Sequence, residues 1–144
     1  MKSFKFVVSL RFRSQNADLS EFCKKLELTP NRIWLVGEPR TSPTGELLNG
    51  VNSDSYCTIR LDLENNETLP CMLFRNALGL MKYKEEFQKL RNGGGQIEYF
   101  IGWFSSENSG DTFDFKLLGL LGELGIDLAM DVYGDKRVNP EPDI

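Results

Sequence analysis

Histidine does not occur in this chain. Its absence removes the commonest general base, the Ser-His and Cys-His nucleophile pairs, and the imidazole metal ligand. Cysteine is scarce: Cys23, Cys57 and Cys71 are odd in number, far apart and without a Cys-x-x-Cys pair. That spacing does not support a zinc knuckle or a thioredoxin-type centre. Each cysteine falls within an apolar pattern, so all three are expected as buried free thiols, which pack as small hydrophobes and suit a reducing compartment. No apolar run approaches the roughly 20 residues of a membrane span. The first residues enter an alternating pattern at once, so no signal peptide is expected. The reading is a soluble, cytoplasmic protein with no membrane partner.

Other signals of chemistry are weak. The basic residues are scattered along the chain and no basic stripe is interleaved with aromatics, so direct nucleic-acid binding is not expected. A phosphate-binding loop runs from a strand into a helix N-terminus. Gly93-Gly94-Gly95 follows a helical pattern and precedes a strand, so it reads as a helix terminator. Asp111 and Asp114 read as acids at a helix start, with Asp111 as the cap. Glu64-Asn65-Asn66-Glu67 lacks the spacing of a calcium loop and reads as a turn. No catalytic residue, cofactor or metal site is expected.

What the chain does contain is a core. Of 144 residues, 40% are hydrophobic, enough for one domain to bury roughly 70% of its unfolded surface. Strict alternation over 4–12 predicts a strand with Phe4, Phe6, Val8, Leu10 and Phe12 inward. Asp18 then reads as the N-cap of a short helix carrying Leu19, Phe22, Cys23 and Leu26, stopped by Pro30. A short strand spans 32–36. The loop over 37–55 is rich in Gly, Pro, Ser, Thr and Asn, with a tight turn expected at Asn49-Gly50; so long a loop is either functional or mobile. A strand over 56–63 follows, with Cys57, Ile59, Leu61 and Leu63 inward. Thr68-Leu69-Pro70 opens the longest helix, whose stripe is Leu73, Phe74, Ala77, Leu78 and Met81, continued by Tyr83, Phe87 and Leu90. Residues 97–104, apolar on both faces, read as a central strand covered on both sides. Leu117, Leu118, Leu121 and Leu124 form a last helix, Gly125 suits its C′ position, and 127–133 is the closing strand.

The order β-α-β-β-α-β-α-β predicts an α+β domain over 1–134: one mixed sheet of about five strands, three helices mainly on one face, and a ferredoxin-like unit with an appended helix and strand. Residues 135–144 read as a flexible tail.

Charge is unevenly spread. Residues 97–144 hold ten acids against Lys116, Lys136 and Arg137, a balance of −7, so the first 96 residues carry +3 of the overall −4. On the closing strand Asp127, Asp131 and Tyr133 share parity, and Trp34 has the parity of an outward position, so the four can share one sheet face. With Glu38 and Asp54 at the long loop they form the candidate partner-binding set, in which acids meet a basic partner and aromatics anchor it.

Two segments carry a resemblance. One is Asp18-Leu19-Ser20 leading to Leu26-Glu27-Leu28-Thr29-Pro30, then Trp34 and Gly37. The other runs from Leu117-Leu118 through Leu124-Gly125-Ile126-Asp127-Leu128 to Met130-Asp131-Val132-Tyr133. Together they resemble a bacterial family of about this length known only as a domain of unknown function, whose closing strand reads aliphatic-Asp-aliphatic-Tyr. The family has no established enzymatic activity, so the resemblance implies no catalytic residue. In size, acidity and lack of catalytic groups the chain is similar to immunity proteins that neutralise bacterial toxins, including those of contact-dependent growth inhibition. That implies a monomer or weak homodimer that occludes a basic cognate toxin, expected to be a nuclease. The competing expectation is a small ligand-binding domain or carboxylate-based enzyme with a pocket under the 37–55 loop.

Overall fold

Period-two alternation over the first residues builds β1 (Lys5–Ser14), whose Val8, Leu10 and Phe12 are buried. In the computed structural model, which describes residues 4–134, the elements then run α1 (Leu19–Lys25), β2 (Arg32–Trp34), β3 (Pro39–Thr41), β4 (Leu47–Val51), β5 (Ser55–Arg60), α2 (Leu69–Leu80), α3 (Lys84–Asn92), β6 (Gln96–Phe104), α4 (Phe115–Leu124) and β7 (Asp127–Tyr133). The tail expected over 135–144 lies outside the described residues. No helix among those described is long and apolar enough to cross a membrane.

The main sheet has the order β2-β5-β1-β6-β7. The first four of these strands are antiparallel neighbours, and β7 is added parallel to β6. This is the strand order of a split β-α-β unit with one helix and one strand appended, the expected α+β architecture. One core cluster joins α1 (Leu19, Cys23), α2 (Leu69, Leu73), α3 (Phe87, Leu90) and α4 (Leu117, Leu121) to Val8, Leu10, Phe12, Ile97, Tyr99 and Ile101. The helices therefore cover one face of the sheet. The opposite face of β6 carries Glu98, Phe100, Gly102 and Phe104 and has no helix over it; Gly102 and Phe104 are nevertheless buried and Glu98 and Phe100 half-buried, so this central strand is covered there by neighbouring side chains, Arg11 over Phe100 and Tyr133 on Phe104, and not by a second layer.

Local signals succeed where the chemistry is short-range. Asp18 accepts from Ser20 N at 2.9 Å and Glu21 N at 3.2 Å, and Thr68 accepts from Cys71 N at 3.3 Å. Gly125 ends α4 with φ +73°, a conformation open to glycine. At the end of α3, Gly94 has φ +88°, and a Cβ on Gly95 would lie 2.7 Å from Leu90 O, so the triple glycine is a terminator.

Other expectations shift. The cap of α4 is Asp114, which accepts from Leu117 N at 3.0 Å, whereas Asp111 bonds only its neighbour's N–H. The long helix breaks at a 3-10 turn over Met81–Tyr83. Phe74, Leu78 and Leu118 are exposed, and Met72, Leu80 and Leu120 are buried instead. The sheet covers a narrower arc of each helix than the apolar residues span. The strand expected over 56–63 ends at Arg60, leaving Leu63 exposed. The long loop contains its own two-stranded sheet, β3 with β4. Its turn is at Ser42–Gly45, closed by Gly45 N to Ser42 O at 2.9 Å, and Asn49-Gly50 lies within β4.

Of the cysteines, Cys71 is exposed, against expectation. Cys23 and Cys57 are buried with their Sγ atoms 2.9 Å apart, joining α1 to β5. The hydrogen bond to Cys23, with burial, holds the Cys57 thiol well above the ordinary thiol range.

Candidate functional site

Because side chains alternate, the register of the five strands sets the helix-free face residue by residue. One row across it reads Arg32, Thr58, Arg11, Glu98 and Asp127. The next row toward one end carries Trp34, Tyr56, Arg13 and Gln96; the next toward the other carries Arg60, Ser9, Phe100 and Ala129. Ser9 and Thr58 are short and sit on the central strands. Long side chains surround them, and the result is a groove of about 550 Å³ bounded by Arg11, Arg13, Arg32, Arg60, Trp34 and Tyr56, with Pro43 of the β3–β4 hairpin at its margin.

The arginines are scattered in sequence and gathered in space, which corrects the reading that the chain has no basic cluster. Rings hold three of them: Arg11 lies 3.7 Å from the Phe100 centroid, Arg13 lies 4.8 Å from that of Tyr56, and Arg32 lies 4.8 Å from that of Trp34. Trp34 and Tyr56 stack on each other at 4.4 Å. Each ring-backed guanidinium gains about 0.5–1 kcal/mol at an exposed site and is held in plane for a further contact. Carboxylates flank the groove without lining it: Arg13 meets Asp54 at 2.8 Å and Arg11 approaches Glu98 at 3.7 Å. Among the described residues, Arg11 Nε is the buried side-chain polar atom without a hydrogen-bond partner.

The six residues expected to meet a partner share a surface but do not converge. Trp34 lies on edge strand β2 and Asp127, Asp131 and Tyr133 on edge strand β7, four strand spacings of about 4.8 Å apart. Tyr133 stacks on Phe104 at 4.8 Å, nearly parallel at 3°, and donates to Asp131 Oδ2 at 2.7 Å. Asp127 is engaged from behind by Arg91, whose Nη2 is 2.9 Å from Oδ2 while its Nε donates to Gly125 O at 2.6 Å. Asp54 is held by Arg13, and Glu38, exposed at the base of the hairpin, uses its backbone to bond Leu35 and Asn52. Three of the four acids thus have partners within the chain, and the acidic patch breaks into separate pairs.

Arg11, Arg13, Arg32, Arg60, Tyr56 and Phe100 were missed as a set. Parity alone places Arg11, Thr58 and Arg60 outward; what was lacking was the strand order that makes β2, β5 and β1 neighbours. Among the described residues no group of three or more Cys, Asp and Glu side chains is arranged to hold a metal ion. No protein-family model matches the chain, and no curated protein or solved structure is significantly similar to it.

Proposed function

We propose that this chain is a binding protein, not a catalyst, and that it neutralises a cognate protein toxin through the helix-free face of its sheet. The observation that carries this reading is the composition of that face. Trp34 and Tyr56 stand with arginines at one edge of the sheet and Tyr133 stands with Phe104 and Asp131 at the other, and Trp, Tyr and Arg are the residues that dominate binding energy at protein interfaces. Tyr133, already stacked and hydrogen-bonded, loses little side-chain freedom on binding. Asp131 beside it supplies the charge for a basic partner such as a nuclease. Occlusion needs no reactive group of its own.

The test is affinity capture from cells that make the chain, with three baits: the natural sequence, Trp34→Ala with Tyr133→Ala, and Phe115→Ala on the helical side. A stoichiometric basic toxin held by the first and third baits and lost by the second is the expected result. Retention by the sheet-face variant would sink the reading.

A second reading has its own observation. The groove beside the hairpin is a concave site of ligand size lined by convergent polar groups and rings. It favours the small-ligand alternative, with guanidiniums in place of the carboxylates expected for an enzyme. Titration calorimetry with small anions tests it directly.

A further inference from the structure

The groove between β1, β2 and β5 holds a chemistry that a protein interface alone does not require. Four arginines from three adjacent strands line one hollow, and no carboxylate lines it with them. Like charges gathered in this way repel; Asp54 beside Arg13 at 2.8 Å and Glu98 near Arg11 at 3.7 Å offset part of that cost from the flank, and an anion at the centre relieves more of it. The cluster stands out further in a chain whose net charge is −4.

We propose that this groove binds a nucleoside diphosphate; the proposal rests on the second reading above, that the groove holds a small ligand. Guanidinium forks match phosphate oxygens in pairs, and two phosphates use more than one fork. Arg11, Arg13 and Arg32 each lie against a ring, which fixes their planes before a ligand arrives. Nucleobases stack on guanidinium planes as well as on rings, and the ladder Arg32, Trp34, Tyr56, Arg13, in which each ring is already stacked against its neighbours, ends in the guanidinium planes of Arg32 and Arg13 along one wall. Asn31 and Thr58 in the lining supply amide and hydroxyl groups for a base edge or a ribose. The volume of about 550 Å³ lies within the range of small-ligand sites. Glu98, Asp127 and Asp131 on the far half of the same face oppose a longer polyanion lying across all five strands, so the ligand is of mononucleotide size.

The experiment is calorimetric titration of the full chain with ADP, adenosine, pyrophosphate, a 5′-phosphorylated single-stranded decanucleotide and a deca-glutamate peptide. Amide chemical shifts are followed with ADP. The expected result is ADP binding that shifts amides of β1, β2 and β5 but not β7, with adenosine and pyrophosphate each at least about tenfold weaker. Arg32→Ala should weaken ADP and pyrophosphate together, and Trp34→Leu, which also removes the ring behind Arg32, should weaken ADP more than it weakens pyrophosphate. Shift mapping on the natural chain keeps the test valid should either variant misfold. Pyrophosphate binding as tightly as ADP overturns the nucleotide assignment while leaving an anion site standing. Silence toward ADP with binding of the peptide or the decanucleotide overturns it in favour of a protein or a nucleic-acid strand. Silence toward all five removes the ligand-site reading as well.

Discussion

The same five strands make both faces of the main sheet, and the two faces are built on opposite principles. Toward the helices stand Val8, Leu10, Phe12, Cys57, Ile97, Tyr99 and Ile101, all nearly inaccessible, with one hydroxyl that finds a half-buried partner: Tyr99 donates to Asn76 Oδ1 at 2.6 Å. Away from the helices, the intervening residues are arginines, aromatics and acids held by stacking and ion pairs. A one-residue change of position along β1 moves a side chain from a packed interior to a charged surface. Stability therefore belongs to one face, and the other is left to recognition.

The largest effect that would sharpen this contrast is on the packed side. Phe12→Ala removes a ring with 0% exposure that meets Phe22 and Phe87 edge-on, and should cost about 3–5 kcal/mol in denaturant titration. A loss below about 1 kcal/mol would show that the interior is not close-packed there.

Tyr99→Phe is next, at about 1–2 kcal/mol, because it strands the Asn76 amide. This variant also has a pH signature. Burial, opposed weakly by the Arg75 charge, raises the Tyr99 phenol above its ordinary value. The folded state thus keeps its proton where the unfolded state has lost it. Stability from this group is whole below about pH 10, the unfolded value, and falls as pH rises beyond. The alkaline decline of unfolding free energy should be shallower in Tyr99→Phe; an unchanged slope would remove Tyr99 as its source.

On the recognition side, Trp34→Ala with Tyr133→Ala should abolish capture of the partner while shifting stability far less than Phe12→Ala does. A matching loss of stability would break the division of labour between the faces. The smallest effect is Asp54→Asn: its pair with Arg13 is partly exposed, so stability should change by less than about 1 kcal/mol, and by less again at high salt.

Much of the fold was legible because short-range chemistry wrote it. Asp18 and Thr68 needed only the N–H groups two or three residues on, and Gly125 needed only its own φ. Errors arose where a distant element decided the outcome. Leu78 and Leu118 are as apolar as their buried neighbours, and only the arc covered by the sheet leaves them exposed. The β3–β4 hairpin was hidden because its strands are short and exposed throughout, with no inward face to generate alternation. The candidate site was half legible: parity placed Trp34, Asp131 and Tyr133 on one surface but could not measure the distance between them.

From its sequence alone, this chain determined its α+β class, its major strands and most of its helix ends, because periodicity and capping act within a few residues. Only the tertiary structure decided that Arg11, Arg13, Arg32 and Arg60 meet. β1 is joined to β2 through α1 on the helix side, β2 returns through the β3–β4 hairpin as β5 between them, and hydrogen-bonded register, which no local pattern encodes, aligns the four side chains around Ser9 and Thr58.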